Sequence, residues 1–163
     1  DVSNLPYVPF RMTEMGLRIF QKVVVPNGVQ YDFASSKKDL AEYTGSRIVF
    51  LWGRFGFYGK RILVESKPNF ENKCGSICKI DYLTEQQAEI LQYNLRSKLH
   101  VFLYDLLGAN AGLGPLHILR ALPKVAYTDK LSDDDMYKQF GLSEDEISYI
   151  ENRDIKYDRF DNV

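Results

Sequence analysis

Cysteine is scarce. Only Cys74 and Cys78 occur in 163 residues, too few for a disulfide framework in a chain of this size, and reduced thiols fit a cytoplasmic protein. Histidine is equally sparse, with His100 and His117. A zinc site built from those two and the cysteines lacks histidine ligand-pair spacing, so two buried thiols and no metal are expected. No stretch approaches the roughly 18 consecutive apolar residues of a membrane span, and no charged-then-apolar leader opens the chain. A soluble protein with no membrane partner follows. Neither sign of charge dominates, with 21 basic and 22 acidic side chains, so whole-chain charge does not announce nucleic acid. Repeats and low-complexity segments are also lacking. The chain begins at Asp1 without an initiator Met, which suggests a processed product or a module of something longer.

What is present is enough apolar material, 45% of residues with 13% aromatic, to bury one core, so a single domain over 1–163 is expected. The charge is unevenly divided. Residues 45–80 carry seven cations (Arg47, Arg54, Lys60, Arg61, Lys67, Lys73 and Lys79) against Glu65 and Glu71, a local charge of +5. Residues 129–163 carry five cations against eleven carboxylates, a local charge of −6. An anionic partner is drawn to the middle and repelled by the tail, because potentials act within a Debye length of ~8–10 Å.

Patterning predicts an α+β fold, mainly strands over 1–82. IFQKVVV (19–25) and VQYDF (29–33), separated by Asn27-Gly28, suggest a hairpin. Segments 47–52 and 61–66 are β-branched and apolar, and 76–82 alternates, giving five short strands of an antiparallel sheet. The period then changes. Thr84-Glu85-Gln86-Gln87 is a capping box, and Ala88, Leu91, Leu95, Leu99, Phe102, Leu103 and Leu106 follow at spacings of three and four, predicting one long amphipathic helix over 84–107 packed on the sheet. Residues 109–115 form a flexible loop, and 116–125 are ambiguous. Two short helices, 132–140 and 143–151, each opened by Ser with an acid three residues on, close the chain as a helical hairpin.

The segment GRFGFYGK (53–60) fails as a phosphate loop: five residues separate its first Gly from Gly59-Lys60, and Arg61 follows instead of Ser or Thr. It also lacks the dinucleotide fingerprint. There remains a loop with Arg54, Phe55, Phe57, Tyr58, Lys60 and Arg61, whose cations and planar rings suit phosphates and bases. A hairpin loop folded back on the core is the competing reading. Glu65-Ser66-Lys67 at a strand end resembles the E-x-K of PD-(D/E)xK nucleases, in which carboxylates hold magnesium and the Lys orients water. Asp32 and Asp39 are the available upstream acids, and neither follows a Pro. Structural roles are expected instead, with Glu65 pairing a neighbouring cation and Lys67 solvated. The acid runs 133–135 and 144–146 fit first turns of helices, where carboxylates complement the macrodipole.

The stretch 130–151, KLSDDDMYKQFGLSEDEISYIE, resembles the C-terminal signature of bacterial and phage adenine-N6 DNA methyltransferases of restriction-modification systems. Ser132, Asp133, Tyr137, Phe140, Gly141, Leu142, Ser143, Glu146, Ile147, Ile150 and Glu151 match it. Leu131 stands where that family has Trp, and Met136 where it has Leu. The likeness covers about the last 80 residues, with only the 22 residues 130–151 specific. Such enzymes carry a glycine-rich S-adenosylmethionine loop and a [DNS]-P-P-[YFW] tetrapeptide that grips the flipped adenine. This chain has neither; Asn4-Leu5-Pro6-Tyr7 comes within one substitution but has three residues before it and no cofactor-binding βαβ unit. The resemblance therefore implies a target-recognition part of a cytoplasmic, bacterial or phage-encoded enzyme, not catalytic alone and with no cofactor of its own. Double-stranded DNA and a catalytic methyltransferase domain or subunit that binds S-adenosylmethionine are the implied partners. The expected DNA-binding residues are Arg47, Arg54, Phe57, Tyr58, Lys60, Arg61, Lys67 and Lys73. The rivals are a magnesium-dependent nuclease using Glu65 and Lys67, and a protein-interaction module docking through its acidic tail.

Overall fold

In the computed structural model, residues 13–23, 31–33, 43–51, 62–67, 74–108, 119 and 122–153 are described. They form an α+β arrangement of five α-helices and a small antiparallel sheet. The strands are β1 (Asp32–Phe33), β2 (Arg47–Leu51), β3 (Ile62–Glu65) and β4 (Cys74–Lys79). Their order is β1-β4-β2-β3, every pair antiparallel, with two-residue β1 adding little to the three-stranded core of the sheet. Register puts Ile48 opposite both Val64 and Cys78. These buried residues face the helices, whereas Arg47, Val49, Leu63 and Glu65 alternate to the other face.

Of segment 19–25, expected as a strand, the described residues 19–23 are instead helical. Helix α1 spans Glu14–Val23. Thr13 accepts from the Gly16 N–H at 3.0 Å, starting the helix. Its buried residues Gly16, Ile19, Phe20 and Val23 recur at spacings of three and four. The β-branched run favours a strand locally, but burying one apolar stripe outweighs that propensity. The Asn27-Gly28 turn lies outside the described residues.

The single long helix is also corrected. It breaks into α2 (Glu85–Leu95) and α3 (Lys98–Leu103), followed by a π-helical turn over Tyr104–Gly108. Ser97 causes the break: its extended backbone and its hydroxyl, which accepts from the His100 N–H at 3.1 Å, make it the N-cap of α3. The apolar stripe survives, since Ala88, Leu91, Leu95, Leu99, Phe102, Leu103 and Leu106 are all buried. The Thr84 capping box forms as expected.

Helix α2 guards the outer edge of β3. The Gln92 Oε1 accepts from the Val64 N–H at 3.0 Å, and fully buried Arg96 donates from Nε and Nη2 to the Ile62 carbonyl at 3.1 and 2.8 Å. These bonds satisfy backbone groups that an edge strand otherwise presents for pairing. Asn94, also fully buried, ties the following chain to α2. Its amide donates to the carbonyls of Ala126 and Asp129, both at 2.9 Å, and accepts from the Leu131 N–H at 2.8 Å.

Helices α4 (Asp133–Gln139) and α5 (Glu144–Glu151) form the C-terminal hairpin, with capping boxes at Ser132 and Ser143. Gly141, with φ 63°, turns the chain: its N–H bonds the Lys138 carbonyl and that of Leu142 bonds the Tyr137 carbonyl, both at 3.1 Å. This Schellman closure requires the left-handed conformation that glycine adopts without strain.

Candidate functional site

The start of β2 and the ends of β3 and β4 meet at one end of the sheet, where Arg47 is the cross-strand partner of both Glu65 and Lys79. Arg47, expected at the DNA surface, is 4% exposed and donates from Nε to Glu65 at 2.8 Å. Burial removes it from any phosphate-contacting surface, and its guanidinium serves as the cation partner of Glu65. Lys67, two residues beyond, is exposed. Arg54, Phe57, Tyr58, Lys60, Arg61 and Lys73 lie outside the described residues.

Glu65, Ser66 and Lys67 line a cleft of about 410 Å³ between β3 and α2, with Glu85, Glu89 and Gln92 on the opposite wall. Its chemistry disfavours magnesium. The position across from Glu65 is held by a guanidinium, which neutralises the carboxylate a metal would need. Asp32 pairs with Lys79 on β4, so it lies three strand spacings from Glu65, roughly 14 Å and too far to share an ion. Asp39 is outside the described residues. Among those described, no three His, Cys, Asp or Glu side chains are grouped to hold a metal. Cys78 is buried with its thiol 3.7 Å from the Lys79 carbonyl, and buried His100 has its Nδ1 2.7 Å from the Ser97 hydroxyl. His117 lies outside the described residues, as does the side chain of Cys74.

Sequence reasoning missed two tyrosines at the same end of the sheet. The Tyr43 hydroxyl donates to the Ile80 carbonyl, and the Lys79 ammonium stands 5.8 Å from the centre of the Tyr43 ring. Tyr82 is 77% exposed. Between the rings is Gly45, where a Cβ would lie 2.5 Å from the Tyr43 hydroxyl and 3.0 Å from Tyr82 Cε1. A bulkier residue at 45 would displace both tyrosines. The available signal was the aromatic at 82, just before the Thr84 capping box.

Residues 130–151 are dense with structural bonds. Asp133 Oδ1 accepts from the Lys98 N–H at 2.9 Å, capping α3 from a different helix. Glu151 accepts from the Tyr137 hydroxyl at 3.0 Å and pairs with Lys98. Burial pushes the Tyr137 phenol far above its ordinary range, and that bond to Glu151 adds to the rise. On the other side, fully buried Glu146 pairs with Lys22 and, at 3.3 Å, with Arg18 of α1. Arg153 donates to Asp105 at 3.0 Å and stacks 5.2 Å from the centre of Phe102. The acid runs thus cap helices and clamp the hairpin onto α1 and α3.

Burial by itself would raise the Glu146 carboxyl. Hydrogen bonds from Lys22 and from the N–H and hydroxyl of Ser143 outweigh it and hold the group at about 2, below its ordinary 4.5. A depressed carboxyl stabilises the fold above the unfolded-state value and loses that contribution as pH falls from 4.5 toward 2. Lys22 and Arg18 are partly exposed, so solvent screens the attraction. Glu146→Gln is expected to cost about 1–2 kcal/mol at pH 7 and nearly nothing at pH 2, measurable as a gap in urea midpoints that closes on acidification.

No family model, curated protein or solved structure matches the chain. No helix among the described residues is long and apolar enough to cross a membrane.

Proposed function

We propose that this chain is the DNA target-recognition module of an adenine-N6 DNA methyltransferase or restriction-modification enzyme, acting with a catalytic domain or subunit that binds S-adenosylmethionine. The observation that supports this reading is the uneven division of charge along the chain. The +5 segment 45–80 contains β2, β3 and β4, whereas the acid-rich hairpin of α4 and α5 is docked on α1 and α3. Phosphates would be drawn to the cations of 45–80 other than the buried Arg47, with Lys67 exposed at the end of β3, and repelled by the carboxylates on α4 and α5. The signature-like hairpin adds support through its matched residues. Arg54, Lys60 and Arg61 are the proposed phosphate or guanine contacts, with Phe57 and Tyr58 as stacking or wedging rings.

Fluorescence anisotropy with labelled duplex between 50 and 200 mM salt tests the reading. Weak binding with a steep salt dependence is expected, since four or five cations would release counterions. Replacing Lys60 and Arg61 with Ala should reduce both affinity and slope. An unchanged slope would move the contact surface, and absence of binding would favour the protein-interaction module. In parallel, calorimetric titration with S-adenosylmethionine is expected to show no saturable binding; micromolar affinity would defeat the idea of a module without its catalytic domain. Cleavage of plasmid in magnesium would promote the nuclease.

A further inference from the structure

We propose that Tyr82 is a stacking platform for an unpaired nucleobase, which deepens the DNA-recognition reading and rests on it. Tyr82 is the one large apolar side chain among the described residues that stands exposed, at 77%. Its backbone is fixed on both sides. The Leu83 N–H donates to the Ser46 hydroxyl at 2.7 Å, the Ile80 N–H donates to the Ser46 carbonyl at 3.2 Å, and the Ile80 carbonyl receives the Tyr43 hydroxyl. Leu83 is buried in the core. Backbone held on both sides keeps the ring at one place on the surface, so covering it costs little backbone freedom.

Tyr43 and Gly45 flank the ring. Lys79 lies at the same end of the sheet, and Lys67 follows the Glu65 that pairs with Arg47 there. Cations at the same end of the sheet as an exposed aromatic suit a base whose own phosphates run past the ring, because base–aromatic stacking tolerates any base and ammonium groups hold the backbone. Asp81, next to Tyr82, is also exposed and repels phosphate, so the nucleic-acid backbone would have to run away from it. In a protein acting on adenine, an unpaired base arises whenever one nucleotide leaves the stack.

The test is anisotropy of the full chain, its Tyr82→Ala and its Tyr82→Phe variants on two labelled duplexes, one fully paired and one with a single unpaired adenine. The parent should prefer the duplex with the unpaired base. Tyr82→Ala should lose that preference, weakening binding to it by about 5- to 100-fold, while Tyr82→Phe keeps it. Thermal melting should be unchanged, because the ring is exposed. Equal affinity of parent and Tyr82→Ala for the unpaired-base duplex, equal affinity of the parent for both duplexes, or a Phe variant as weak as Ala each overturns the platform and leaves DNA binding standing. A parent that binds neither duplex overturns both.

Discussion

Glu65→Ala is expected to destabilise the protein by about 3–5 kcal/mol, enough to unfold much of a marginally stable domain. The side chains of Arg47 and Glu65 are only 4% and 7% exposed, and their bond is 2.8 Å long. Removing the carboxylate leaves a guanidinium buried without that counter-charge, and the cost is dominated by the stranded ion rather than by the bond itself. Replacing both partners by apolar residues of similar volume, Arg47→Met with Glu65→Leu, should recover most of the loss, since desolvation of both ions then disappears. Urea midpoints of the parent, the two single variants and the double variant measure the coupling. A double variant no more stable than Glu65→Ala would deny the stranded-charge account. The same geometry bears on the nuclease rival: loss of cleavage in Glu65→Ala would be ambiguous with unfolding, so Glu65→Gln, which keeps an acceptor for Arg47, is the better variant for that assay.

Asn94→Asp is expected to cost about 3–5 kcal/mol at neutral pH despite its nearly identical shape. The amide nitrogen donates to two carbonyls, of Ala126 and Asp129, in a fully buried site. A carboxylate there would face both carbonyl oxygens with no proton to offer. Burial and those oxygens raise the new carboxyl above the unfolded-state value of about 4. The ionisation penalty is therefore absent below that value, grows as pH rises above it and levels off past the folded-state one. Asn94→Leu loses all three hydrogen bonds whatever the pH, at about 2–4 kcal/mol. The difference between these variants should widen from pH 3.5 to pH 7 in urea titrations. A pH-independent difference would mean that water or a rearranged carbonyl relieves the site.

Other parts of the candidate surface rest on ordinary local signals. The serines at 132 and 143 with acids three residues on were sufficient to place both C-terminal helices, because capping boxes are made within four residues. Strands β2 and β3 were legible from β-branched runs. The partner of Glu65 was legible only as some neighbouring cation, since which of seven nearby basic residues lies across the ladder depends on sheet order and register.

By itself, then, the sequence determined what short-range chemistry controls: the class α+β, the antiparallel pairing, the caps at Thr84, Ser132 and Ser143, and the stripe from Ala88 to Leu106 that enters the core. Tertiary structure alone decided where long-range partners settle. It made 19–23 helical because Ile19, Phe20 and Val23 reach the core on one helix face, overriding local β propensity. It used Asp133 to cap α3, 35 residues earlier in the chain, and Glu146 to hold α1. It withdrew Arg47 from the surface and left Tyr82 upon it. Burial and counter-charge are properties of packed surfaces brought together from distant segments, and the pattern along any one segment does not contain them.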